Sequence, residues 1–276
     1  MASSSAPILS DKERLQAKLT LLANVAVGFV EGLQELSGKT IARIEKRAKA
    51  DIEIHDWYDD IENVNYYAIS SKDNESTDGN VWGSEVEEHL KLPALFSQQC
   101  SKIVYCLLPL ISDILGDDEE FDKVTWSREY IKMRLVLFHI DENNRQDHDP
   151  LPFFAHDFIR LATKSGTKYV LDFTGEQYGI EEWFQTRRTY YEKYVWAEKI
   201  PNISSKKDRI AKVEEEGAKM PELKAMISQS FKEAQSDPTW KLNWKIFNNL
   251  SESEKEEQRK GLTTLIRKRT VEVFLT

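Results

Sequence analysis

The sequence predicts an α+β fold, a small antiparallel sheet packed on a cysteine-bearing helix and wrapped by N- and C-terminal helices. Three observations lead there. Apolar residues recur at helical spacing near the N-terminus, at Leu15, Leu19, Leu22, Ala26, Phe29, Leu33 and Leu36. The stretch "AHDFIRLATKSGTKYVLDFTGEQYG", residues 155–179, reads as two strands around a tight glycine turn. Between them lies a long apolar segment, Ala94 to Leu115, that carries both cysteines.

Taken in order, residues 1–9 are small and polar and read as a disordered tail. Ser10 and Glu13 form a capping box that opens the first helix, and Gly38 supplies its stop. A second helix is expected from Thr40 to about Ile61, followed by a polar loop from Ser70 to Asn80. Ala94 to Leu115 is a third helix that Pro109 should kink or end early. Residues 117–122 form an acidic loop, and Tyr130 to Ile140 reads as a strand. After the hairpin, helix returns from Ile180. Its aromatic side, including Trp183, Tyr190, Tyr191 and Tyr194, reads as core. Residues 200–276 suggest three or four further helices, the last opened by Ser251 with Glu254, and TVEVFLT suggests an edge strand. Four regions follow: a tail (1–9), an N-terminal helical region (10–91), a core (92–198) and a C-terminal helical region (199–276).

A net charge of −9 and a pI near 5.3 argue against nucleic acid, because neutralising phosphates needs a basic face. Two cysteines do not build a disulfide framework, which points to a reducing compartment. No basic start leads into an apolar leader, and the most apolar stretch, Leu21 to Val30, is short for a bilayer. The expectation is a soluble cytoplasmic protein without a membrane partner.

Register decides whether His156 and Asp172 can meet, since strand side chains alternate faces. A two-residue Ser165-Gly166 loop would send them to opposite faces. A three-residue loop, Lys164-Ser165-Gly166, puts Phe158 opposite Asp172 and His156 opposite Thr174. His156 and Asp172 are then diagonal neighbours on one face, about 7–8 Å apart by backbone. The other face holds Ile159, Leu161, Tyr169, Leu171 and Phe173, a set suited to a core. A carboxylate beside an imidazole fixes its tautomer and stabilises its charged form; the same pair also serves as a plain structural hydrogen bond.

A nucleophile would complete the set. With Ser97 as N-cap, Cys100 falls in the first turn of its helix, where the dipole and free amides favour a thiolate. Cys100, Ile103, Val104, Leu107, Ile111 and Ile114 share one inward stripe, and Cys106 lies off it as the structural cysteine.

The segment "HDFIRLATKSGTKYVLDFT" resembles the His…Asp-x-Thr segment of transglutaminase-like proteins in the papain-like cysteine superfamily, and "GEQYG" is similar to the Gln-aromatic-Gly ending of fungal members. The order Cys100, His156, Asp172, Thr174 agrees, over about residues 92–180. His156-Asp157-Phe158 stands where His-Ala-Trp is usual, Phe173 replaces a proline, and no glycine closely precedes Cys100. The resemblance implies acyl transfer, or amide or ester hydrolysis, through a thioester on Cys100, with His156 as acid–base and Asp172 orienting it. It implies an oxyanion site at the Cys100 amide with Gln98 or Gln99, a cleft lined by Gln177 and Tyr178, no cofactor, and a small-molecule or peptide acyl substrate. Two other readings stand beside it. One is an inactive transglutaminase-like scaffold that binds a protein partner through the terminal helices. The other is a metal site drawn from His139, Asp141, His148, Asp149 and His156.

Overall fold

A computed structural model describes residues 9–73, 81–147, 152, 155–198 and 205–275. The tail up to residue 8, most of the loop before Asn80, and His148 with Asp149 lie outside the described residues. The fold is α+β with two sheets rather than one.

The chain opens with α1 (Asp11–Leu19), started by the Ser10–Glu13 capping box, and α2 (Leu22–Leu36), which ends at Gly38 with φ +66°. The 26-residue stretch Asp11–Leu36 is by length and composition sufficient to cross a bilayer. In the fold Leu15, Leu19, Leu22 and Phe29 are buried in the main core.

The expected helix from Thr40 to Ile61 is not there. β1 (Lys39–Arg47) pairs antiparallel with β2 (Asn65–Asp73), and two short 3₁₀ turns, Lys49–Asp51 and Asp56–Asp60, lie between them. Ile41 is buried beneath this sheet with Ile69. The same isoleucines suit a helical or a strand period over so short a run, and pairing with the β2 partner decides in favour of strand.

α3 (Glu88–Phe96) and α4 (Cys100–Leu115) replace the single third helix, meeting at 80°. Pro109 does not end α4; it sits inside the helix on the exposed side. β3 (Phe121–Tyr130) begins within the expected acidic loop, and the strand expected from Tyr130 to Ile140 is β4 (Leu135–Ile140) with the end of β3. β4 joins β2 in parallel, completing a sheet of order β1-β2-β4.

β5 (Ala155–Thr163) and β6 (Lys168–Leu171) form the hairpin with the three-residue turn. Ile159 faces Leu171 and Arg160 faces Val170, the register that the glycine in third place requires, and Gly166 has φ +89°. β7 (Phe184–Thr186) closes an antiparallel sheet of order β3-β5-β6-β7 and leads into α5 (Arg187–Tyr194). Ile159, Leu161, Tyr169, Leu171 and Phe173 enter the main core with α4, as the alternation requires. Phe158 and Val170 face a second core with Tyr178, Tyr190 and Tyr194.

α6 (Lys206–Glu216), α7 (Met220–Ser236), α8 (Trp244–Phe247) and α9 (Glu252–Leu275) follow, with the Ser251–Glu254 box formed at the start of α9. Thr270 to Leu275 are the end of α9 and not an edge strand: Thr270 is wholly buried, and its neighbours are on a helix that packs on α2. Alternation over seven residues lost to the helical run that precedes it. The region 10–91 accordingly holds two strands besides its helices, and α2 from it packs on α9 of the C-terminal region.

Gly28 and Gly32 let α2 and α9 approach closely. A Cβ on Gly28 would lie 2.4 Å from the Thr263 carbonyl oxygen, a backbone atom that cannot step aside. Alanine normally favours a helix over glycine by about 0.8–1.0 kcal/mol, but overpacking at such a contact costs about 1–3 kcal/mol. Gly28→Ala should therefore lower the denaturation midpoint in urea; an unchanged or raised midpoint would show that the α2–α9 contact yields without cost.

Candidate active site

The 80° elbow at residues 97–99 sets the sulfur of Cys100 at the first position of α4. Gln99, not Ser97, occupies the N-cap, without a side-chain cap, and Ser97 closes α3 instead. Gln98, between them, has φ +61°, a left-handed conformation that a side chain disfavours. Its amide donates to Gln177 Oε1 at 3.1 Å, and Gln177 Nε2 donates to the Thr174 carbonyl at 3.1 Å. Gln177 thus ties the elbow before the cysteine to the turn after Asp172. Both ends of its amide are committed within the protein.

His156 and Asp172 meet as the register predicts. His156 Nε2 lies 2.8 Å from Asp172 Oδ1, with both side chains buried. The carboxylate also accepts from Tyr190 Oη at 2.8 Å and from the Thr174 amide at 3.3 Å. A Cβ on Gly175 would fall 2.7 Å from Asp172 Oδ2, so glycine there leaves the acid its room. Tyr178 stands edge-on to the imidazole, with ring centroids 4.8 Å apart.

Burial by itself would lower the imidazole pKa. The charge and hydrogen bond of Asp172, with the neighbouring Cys100, outweigh it and raise the value to about 10. Nδ1 is buried without a hydrogen-bond partner. With Nε2 held by Asp172, Nδ1 is the nitrogen left to exchange a proton with the thiol. Cys106 is wholly buried, and burial pushes its thiol well above the ordinary range. Most faces of α4 are buried, so the stripe that set Cys106 apart does not make it more exposed than Cys100.

Asp157 is a residue of the framework around the site that the sequence reading missed. It is 1% exposed and points to the opposite face of β5 from His156. It accepts from Ser101 Oγ at 2.6 Å, from Trp126 Nε1 at 2.7 Å, and from Arg128 Nε at 3.0 Å. Ser101 follows Cys100, so this carboxylate pins the first turn of the cysteine helix to the strand that carries the histidine. The departure from His-Ala-Trp is thus an anchor. Two adjacent polar residues, His156 and Asp157, ahead of the apolar Phe158 and Ile159 were the available signal. Tyr190, read only as core, is the other omission.

Gln99 is half-buried; its Nε2 donates to the Ser97 carbonyl at 3.4 Å, and its Oε1 is buried without a partner. Gln98 is exposed. The amides of Cys100, Ser101 and Lys102 open α4. Among the described residues no three His, Cys, Asp or Glu side chains converge to hold a metal. His139 and Asp141 lie at the end of β4, away from His156 on β5, and burial lowers the His139 pKa.

A folded pKa above the ordinary 6.5 gives stability that is complete below that value and is lost as pH rises toward 10. Urea stability of the native chain should fall between pH 6.5 and 9, and His156→Gln should flatten that slope. An equal slope in both proteins would show that the imidazole is not held charged. Comparison with protein-family models, with curated proteins and with solved structures finds no match.

Proposed function

We propose that this chain is a cysteine-dependent acyltransferase, or an amide or ester hydrolase, related to the transglutaminase-like branch of the papain-like proteins. One observation carries the reading: a cysteine at a helix start lies on α4, which packs on the strand of an imidazole whose Nε2 is bonded at 2.8 Å to a buried carboxylate, and the thiol helps to raise the pKa of that imidazole. The imidazole has the orienting acid that nucleophilic acyl chemistry needs, and its Nδ1 is free to serve the thiol.

In this mechanism Cys100, as thiolate beside imidazolium, attacks the substrate carbonyl carbon. The oxyanion forms against the Cys100 amide. A half-turn of the Gln99 carboxamide would add a donor where its unpartnered oxygen now sits. His156 gives its proton to the leaving nitrogen or oxygen, and a thioester remains on Cys100. Water or an amine then attacks, His156 takes its proton, and the thiolate is released. Asp172 holds the ring by Nε2 throughout, itself fixed by Tyr190 and Thr174. Tyr178 walls the imidazole. The substrate is a small molecule or peptide with an acyl group, and the setting is a cytoplasm that keeps both cysteines reduced.

A second reading, an inactive scaffold whose terminal helices bind a protein, is favoured by access. Cys100 is only 7% exposed. The large surface clefts, about 750 and 840 Å³, lie around Asp141 and Arg145.

Incubation with p-nitrophenyl acetate, followed by mass spectrometry of the intact and digested protein, separates the two. The enzyme reading expects an acetyl adduct on Cys100 that vanishes in Cys100→Ala. Asp172→Asn should slow its formation by about 10³–10⁴-fold while leaving the fold intact. A folded native protein that forms no adduct, or acylates only elsewhere, would leave the scaffold reading standing.

A further inference from the structure

At the far end of the sheet that carries His156, four cations converge on one small cleft of about 270 Å³: Lys123 on β3, Arg160 on β5, Lys168 at the start of β6 and Arg187 at the start of α5. Thr125 adds a hydroxyl, and no carboxylate lines the cleft. The register explains the convergence. Thr125 faces Arg160, Lys123 faces Ala162, and Ala162 in turn faces Lys168, so these side chains share one sheet face. Among the described residues none of the four cations makes an ion pair. Arg187 stacks on the Tyr191 ring at 4.5 Å, with its Nε buried and unpartnered. Along this face Glu129 already accepts from the Tyr191 hydroxyl at 2.8 Å, and Asp172 is taken up by His156 and Tyr190.

Like charges on neighbouring strand positions destabilise a sheet. Gathering four of them without a counter-charge is a cost, and in a chain of net charge −9 it runs against the overall balance. A bound anion offsets that cost. Its size is limited by the cleft, which holds a small molecule and not a polymer. A compact group with two or more charges and several oxygens fits best, because two guanidinium forks and two ammonium groups supply converging donors. A single carboxylate would leave most of them unanswered.

We propose that this cleft binds a small phosphorylated anion through Arg160, Arg187, Lys123 and Lys168. It is separate from the triad. Arg160 lies four residues along β5 from His156, about 13 Å at the usual strand rise, with Phe158 packed under Tyr190 between them.

Isothermal titration of the full-length chain with sodium pyrophosphate at low ionic strength tests this. Saturable single-site binding is expected. Arg160→Gln should weaken it about tenfold or more, as loss of a charged hydrogen bond does. Lys168→Gln, at an exposed strand end where folding is not at stake, should weaken it severalfold. Lys212→Gln, an exposed lysine on α6, should leave it unchanged. Three results would overturn the proposal. One is no saturable binding, another is equal affinity in all variants, and the third is citrate binding as tightly as pyrophosphate.

Discussion

The hydrogen bond between His156 and Asp172 is the constraint around which the site is organised. A buried imidazole and a buried carboxylate are each costly alone, and together they satisfy one another at 2.8 Å. The pairing demands a single hairpin register, since a slip of one residue would turn the two groups to opposite faces. The turn meets that demand with Gly166 in the left-handed position. Tyr190, Thr174 and the space left by Gly175 then complete the surroundings of the acid.

Holding the helix of Cys100 against the strand of His156 takes two further ties, one on each side of the cysteine. Gln177 reaches back to the strained elbow at Gln98, and Asp157 grips Ser101 in the first turn of α4. Both ties start on or just after the hairpin strands. The hairpin therefore positions its own two residues directly and the cysteine through hydrogen bonds. The ion pair of Asp157 with Arg128 leaves a guanidinium within the field of Cys100.

The sequence made the hairpin legible because three local signals agreed: strand alternation, a glycine at the third turn position, and a core set on one face. Capping boxes at Ser10 and Ser251 were equally local and equally clear. What stayed hidden depended on distant partners. β1 became a strand because β2 pairs with it, and α9 stayed helical to its end because α2 covers it. Asp157 was visible only as a mismatch to a motif, since its meaning requires Trp126, Arg128 and Ser101, none of them adjacent in sequence. Gln177 was assigned to a substrate cleft for the same reason: nothing local shows that Gln98 and Thr174 take up its amide.

The account rests on Cys100 being a primed nucleophile despite its small exposure, while Cys106 is a buried thiol. Alkylation of the folded chain by iodoacetamide near neutral pH, with site-resolved mass spectrometry, measures that difference most directly. Rapid modification of Cys100, slowed sharply in His156→Gln, with Cys106 unmodified until the protein is denatured, is the predicted result. Equal and slow modification of both cysteines in the native fold would contradict it.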